Sequence, residues 1–172
     1  MELIEKLRSD IRDVKINIIL GNIILMKPNI KRLRKGNNRF FNQKYWKILK
    51  EYKGQIITGS CSLYAYGLLD RMPSDIDLIV DKSSFSPSKK LLTDERYVKK
   101  KEFDTIGYFR NHGYYIDFFD NNNNAKYIEI DGFLLHDPFE IIDKKLEMGR
   151  EDSKDIHDII YILKKFNPNY KF

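Results

Sequence analysis

Cysteine occurs once in the 172-residue chain, at Cys61, so no internal disulfide can form, and there is no CxxC pair or Cys/His cluster of zinc spacing. A reducing, cytoplasmic setting is expected. Histidine is scarce as well; His112, His136 and His157 stand apart in sequence, and none is assigned to metal or base duty. The most apolar run, Ile16 to Met26, is too short to span a bilayer and is broken by Asn17, Gly21 and Asn22. The opening MELIEKLRSDIRD lacks the basic start and apolar stretch of a signal peptide, so neither secretion nor membrane insertion is expected. No internal repeat is present, and the low-complexity content is confined to four asparagines, 121 to 124.

Hydrophobic residues at 42% and charged residues at 33% exclude a disordered chain and suit one domain with a sizeable core. The net charge of +6 is unevenly placed. Residues 27 to 53 hold ten Lys or Arg against the single acid Glu51, a local +9 that leaves −3 for the remainder. Acids gather after position 115. A polyanionic partner beside an acidic, metal-binding site is the functional reading of this asymmetry, and a solvated basic face is the ordinary one. Within the basic stretch, Phe40, Phe41, Tyr45 and Trp46 interleave with the cations. Rings and cations so mixed either stack and pair with RNA or divide into core and surface.

Apolar positions Ile4, Leu7, Ile11, Val14, Ile18 and Leu25 have helical spacing, although Gly21-Asn22 would also serve as the turn of a two-strand hairpin. Residues 42 to 52 suggest a second helix, and Gln55 to Thr58 a short buried strand leading into a helix that starts at Gly59-Ser60. YFRNHGYYIDFFD has strand character with a turn at His112-Gly113. Asp120 and the asparagines after it read as a hairpin turn into one further strand, KYIEIDGFLL. In HDPFEIIDKKLEMG, Asp137 is the expected N-cap, Pro138 the first helical residue and Glu140 the third, with Gly149 as the stop. The final helix carries Ile156, Ile159, Ile160 and Leu163 and ends at Asn167-Pro168.

The chemistry concentrates in ITGSCSLYAYGLLDRMPSDIDLIV. Gly59 permits close backbone approach and Ser60 adds a hydroxyl at a helix start, which makes either a phosphate cradle or a plain N-cap. Asp75 and Asp77 alternate with Ile76, Leu78 and Val80, so both carboxylates fall on one strand face. Such a pair can hold magnesium and bridge two ions in phosphoryl transfer. Asp117, within an otherwise apolar strand, is the preferred third carboxylate over Asp120, Glu129 and Asp131. Lys144 or Lys145 could reach a triphosphate, with Asp155 orienting the lysine, and Arg71 is either a nucleotide contact or a loop charge.

This order of Gly-Ser, a helix, Asp-Ile-Asp and a later isolated aspartate resembles the nucleotidyltransferase superfamily of the polymerase-beta-like fold. The resemblance implies an α+β fold, with a small mixed β-sheet core flanked by helices and a C-terminal helical hairpin. It implies that Gly59 and Ser60 grip an NTP, that Asp75 and Asp77 bind two Mg²⁺ ions, and that Asp117 helps activate the acceptor hydroxyl. The fourteen residues 61 to 74, with Arg71 before Ser-Asp-Ile-Asp, look like the abortive-infection (AbiEii-type) toxin branch. KKLEMGREDSKDIHDI is similar to that branch's K…R…KD…D pattern through Lys145, Arg150, Lys154, Asp155 and Asp158. The branch commonly has Gly-Gly where this chain has Gly59-Ser60.

The expected organisation is a basic helical region over 1–53, a core sheet over 54–135 and a helical hairpin over 136–172, forming one unit. The expected activity is transfer of an NMP from an NTP to an acceptor. RNA, such as a tRNA end, is the favoured acceptor, and the toxin resemblance implies a possible antitoxin partner. A small-molecule or protein acceptor, or a non-catalytic nucleotide- or RNA-binding module, are the alternatives.

Overall fold

The computed structural model describes residues 2–35, 43–85, 97–99, 105–111, 114–121, 124–150 and 153–172. Helix α1 (Glu2–Ile19) buries Ile4, Leu7, Ile11 and Val14, a spacing of three and four that keeps one face apolar. Its end decides between helix and hairpin. Gly21 has φ +77. The Asn22 N–H donates to the Asn17 carbonyl at 2.9 Å and the Gly21 N–H to the Ile18 carbonyl at 3.1 Å. These two bonds form a Schellman stop, so Gly21-Asn22 ends a helix and joins no strands.

Helices α2 (Lys31–Lys35) and α3 (Gln43–Glu51) lead to strand β1 (Ile56–Thr58), helix α4 (Gly59–Ala65) and strand β2 (Ile76–Val80). Strands β3 (Tyr97–Lys99), β4 (Thr105–Asn111), β5 (Tyr114–Asp120), β6 (Tyr127–Ile130) and β7 (Phe133–His136) follow, then helices α5 (Pro138–Glu147) and α6 (Ser153–Phe166). Among the described residues the strands form one mixed sheet ordered β3-β4-β5-β2-β1-β7-β6. The α+β class expected from the sequence is the observed one.

Two strand expectations are corrected. Strands β5 and β6 form no hairpin, because β5 lies beside β2 while β6 lies beside β7 on the other side of β1. KYIEIDGFLL is two antiparallel strands, with Ile130 opposite Phe133. Asp131 at φ +51 and Gly132 at φ +79 make the reversal, a pair of left-handed residues suited to a two-residue hairpin. His112, Gly113, Asn122 and Asn123 lie outside the described residues.

The first helix packs with the last two. Lys15 pairs with Asp143 at 2.5 Å, and the Arg8 guanidinium donates to the Leu146 carbonyl at 3.2 Å. Asp137 caps α5 by accepting from the Phe139 and Glu140 N–H groups at 2.9 and 3.1 Å. Trp46 packs on Phe133 with ring centroids 5.3 Å apart, which places it with the core. Phe40, Phe41 and the Tyr45 side chain lie outside the described residues. No helix among the described residues is long and apolar enough to cross a membrane.

Candidate active site

Sheet register assembles the acids. Antiparallel pairing of β1 with β2 sets Thr58 opposite Asp77, and parallel pairing of β2 with β5 sets Asp77 opposite Asp117. Residues aligned across neighbouring strands share a face, so Thr58, Asp77 and Asp117 form one row. Asp75 joins them from just before β2, as the alternation around Ile76 requires. One oxygen from each of Asp75, Asp77 and Asp117 lies within 4.8 Å of the others, and all three residues are partly buried. This is the single cluster of possible metal ligands among the described residues. Hard carboxylate oxygens at that separation fit a magnesium-class cation.

Gly59 begins α4 at φ +60. A Cβ there would collide with the Asp77 carboxylate, its Cγ lying 3.3 Å away. Glycine is therefore required both for the backbone conformation and for the aspartate's position. Ser60 does not cap the helix. Thr58 is the cap position and makes no capping side-chain bond, while the Ser60 hydroxyl sits 3.3 Å from Arg71 Nη2.

Arg71 is no loose loop charge. Its Nε and Nη2 donate to the two carboxylate oxygens of Asp158 at 2.8 and 2.6 Å, a bidentate pair. Asp158 is fully buried. Lys145 makes acidic contacts, bonding Asp155 closely and reaching Asp158 at 3.5 Å. Asp155 and Asp158 thus hold two cations at the cleft wall. Lys144 stacks over Phe119 at 5.7 Å, and Lys154 contacts the Ser74 hydroxyl at 3.3 Å.

These groups border one open cleft of about 680 Å³, lined by Gly59, Ser60, the three aspartates, Arg71, Lys145 and Asp155 among others. Every proposed site residue reaches this cleft. Of the rejected acids, Asp120 also lines it and accepts the Lys82 N–H at 3.2 Å. Glu129 lies exposed on β6, and Asp131 sits in the hairpin turn.

Sequence reasoning missed two contributors. Cys61 is buried and its thiol donates to the Asp75 carbonyl at 3.2 Å, tying the α4 start to the first aspartate. Burial, reinforced by the charges of Asp77 and Asp75, pushes the thiol well above its ordinary value, so it is an inert anchor. His136 lies between Thr58 Oγ1, 2.7 Å from Nδ1, and Glu140 Oε2, 2.8 Å from Nε2. Burial raises the Glu140 carboxyl, but bonds from His136 and the Lys126 N–H outweigh it and bring the group below its usual range. Glu140 therefore serves His136 instead of closing a capping box on Asp137, whose N–H donates to the Lys126 carbonyl. The His-x-x-x-Glu spacing was the available signal, and a residue preceding a helix cap gave no reason to weigh it.

The sequence matches no protein-family model and no curated protein. Among solved structures, the Megavirus polyadenylate synthase is similar, with a TM-score of 0.51 and 17% identity over 96% of this chain and 38% of that one. The chain shares the mixed α+β fold of the part of that structure it covers. It spans well under half the length of that structure. At this identity the likeness speaks for the fold, and function rests on the site itself.

Proposed function

We propose that the protein is a divalent-metal-dependent nucleotidyltransferase that moves an NMP from an NTP, ATP among the possible donors, to an acceptor hydroxyl with release of pyrophosphate. The observation that carries this reading is the gathering of Asp75, Asp77 and Asp117 within 4.8 Å. Beside it, Gly59 and Ser60 line the same cleft. Asp75 and Asp77 would hold two Mg²⁺ ions, with Asp117 contributing. Ions so held supply Lewis-acid polarisation of the phosphate and stabilise the entering and leaving oxygens.

The protein's own groups divide the remaining work. Asp117 orients the acceptor hydroxyl and takes its proton as the oxygen bonds to the α-phosphorus. The bond from that phosphorus to the pyrophosphate oxygen breaks. Lys145, oriented by Asp155, offsets the charge developing on the leaving group, while Arg71 and Ser60 bind the triphosphate beside Gly59. RNA is the favoured acceptor, supported by the +9 charge of residues 27 to 53. The toxin-like reading, with an antitoxin partner and a cytoplasmic setting, rests on the Lys145 to Asp158 sequence pattern.

Incubation with labelled NTPs, Mg²⁺ and total RNA tests this directly. Label on a discrete RNA is expected. Label on a small molecule or a protein would change the acceptor, and NTP binding without any transfer would overturn the enzymatic reading.

A further inference from the structure

Described basic residues are fastened at the ends of β7 and α4 that lie away from the cleft residues His136 and Gly59. Strand β1 ends at Thr58, which lines the cleft, and α4 starts there at Gly59 and packs on β1, β2 and β7. Ala65 closes α4 at the opposite end of that helix from the cleft residues Gly59 and Ser60, and Asn29 and Arg32 of the basic segment are fastened there. The Asn29 N–H donates to the Ala65 carbonyl at 2.8 Å, and Arg32 Nη1 donates to the same oxygen at 3.1 Å. At the second fixing point, the Lys53 ammonium lies 4.9 Å over the Phe133 ring. Phe133 begins β7, whose other end, His136, lines the cleft.

Four residues of β7, at about 3.3 Å each, make a separation on the order of 10 Å. The seven residues of α4, at about 1.5 Å each, give a similar figure. Arg32 is engaged with the protein backbone, but Lys27, Lys31, Arg34, Lys50 and Lys53 are all exposed. A triphosphate held beside Asp75 and Asp77 would sit at the other end of these elements, about 10 Å from where the basic residues are fastened. A second polyanion would account for this charge.

We propose that Lys27, Lys31, Arg34, Lys50 and Lys53 form a docking face for the phosphate backbone of the acceptor RNA, behind the cleft. This rests on the transferase reading and adds where the acceptor's body is held. The Trp46 and Phe133 rings pack on each other at a tilt, with Lys53 over Phe133, so the recognition is of phosphates by lysine and arginine rather than of bases by these rings. Such contacts are indifferent to sequence and sensitive to salt. The separation sets a length requirement. A stacked strand rising about 3.4 Å per nucleotide needs roughly three nucleotides to cross about 10 Å, so a dinucleotide acceptor cannot use the face and a longer RNA can.

The test compares the full chain with a Lys31→Gln/Arg34→Gln/Lys50→Gln variant, measuring affinity for a long single-stranded RNA at several salt concentrations. Loss of three phosphate contacts should weaken binding and make the log-log salt slope shallower by about 2. Affinity for a dinucleotide should stay unchanged. The thermal midpoint of the variant reports its folding, which substitutions at exposed positions leave intact. An unchanged RNA affinity and slope in a folded variant would overturn the docking face, even if the wild type still transfers label to RNA. The converse is separable: wild-type RNA binding with the expected slope change, without any transfer, would sustain the docking face and overturn the transferase reading. Asp77→Asn should retain RNA binding, and its loss there would place the RNA at the cleft and sink the proposal.

Discussion

Asp158 is fully buried and receives a bidentate pair from Arg71. Asp75, Asp77 and Asp117, which line the cleft beside Arg71, stay partly exposed with their oxygens gathered within 4.8 Å of one another. The two sets of acids differ in what their charge is for. Asp155 and Asp158 fix cationic side chains at the wall of the cleft. The other three crowd like charges together, an arrangement that a divalent cation stabilises. Burial and the identity of the partners separate these two sets of acids more sharply than residue type does.

Substitution should separate the two sets. Asp77→Asn is expected to lower transfer by about 10³-fold or more, since several kcal/mol of charge stabilisation would be lost. Its thermal midpoint should stay near that of the wild type. Asp158→Ala should do the reverse, destabilising the fold by about 3 kcal/mol because it removes one side of a buried ion-pair network. The low end of the range applies because the Arg71 side chain is 23% exposed. Chemical denaturation of both variants, alongside single-turnover rates, checks the contrast. If Asp77→Asn unfolds the protein as readily as Asp158→Ala does, the distinction collapses.

Gly59→Ala tests the ligand set from its neighbour. A left-handed backbone costs a residue bearing a Cβ about 1–2 kcal/mol. The collision with Asp77 should cost activity beyond that, read as a rate loss that extra Mg²⁺ partly restores. A smaller effect is expected at Glu140. Its carboxyl lies below the ordinary range in the folded chain, so its stabilisation is present above the unfolded carboxylate value and fades as pH falls through the depressed one. Thermal midpoints measured from neutral to acid pH should therefore fall less steeply in Glu140→Gln. The smallest expected signal is at Cys61, whose thiol should resist alkylation at neutral pH until denaturant is added.

The acids of the cleft were legible because strand alternation is local. Asp-Ile-Asp fixes its own facing, and an aspartate inside YYIDFF stands out against its neighbours. Sheet order was not legible. Asp120 with its asparagines has hairpin composition, yet β5 and β6 are separated by β2, β1 and β7, a choice made by long-range pairing. Asp131-Gly132 carried a real turn signal that was hidden inside a run read as a single strand. Asp158 matched a pattern, but only three-dimensional packing shows that Arg71, eighty-seven residues earlier in the chain, meets it. The Thr58, His136 and Glu140 contacts depended likewise on β1 and β7 lying side by side.

Strand β6 is the outer strand on its side of the sheet among the described residues. Its Tyr127 and Ile128 are 52% and 42% exposed. Its outward backbone groups offer a template on which a second extended chain could add, the hazard that open sheets face in concentrated solution. Lys126 and Glu129, both exposed, place opposite charges along that border. Charges at such a border discourage uninvited strand addition, a protection separate from anything in the cleft.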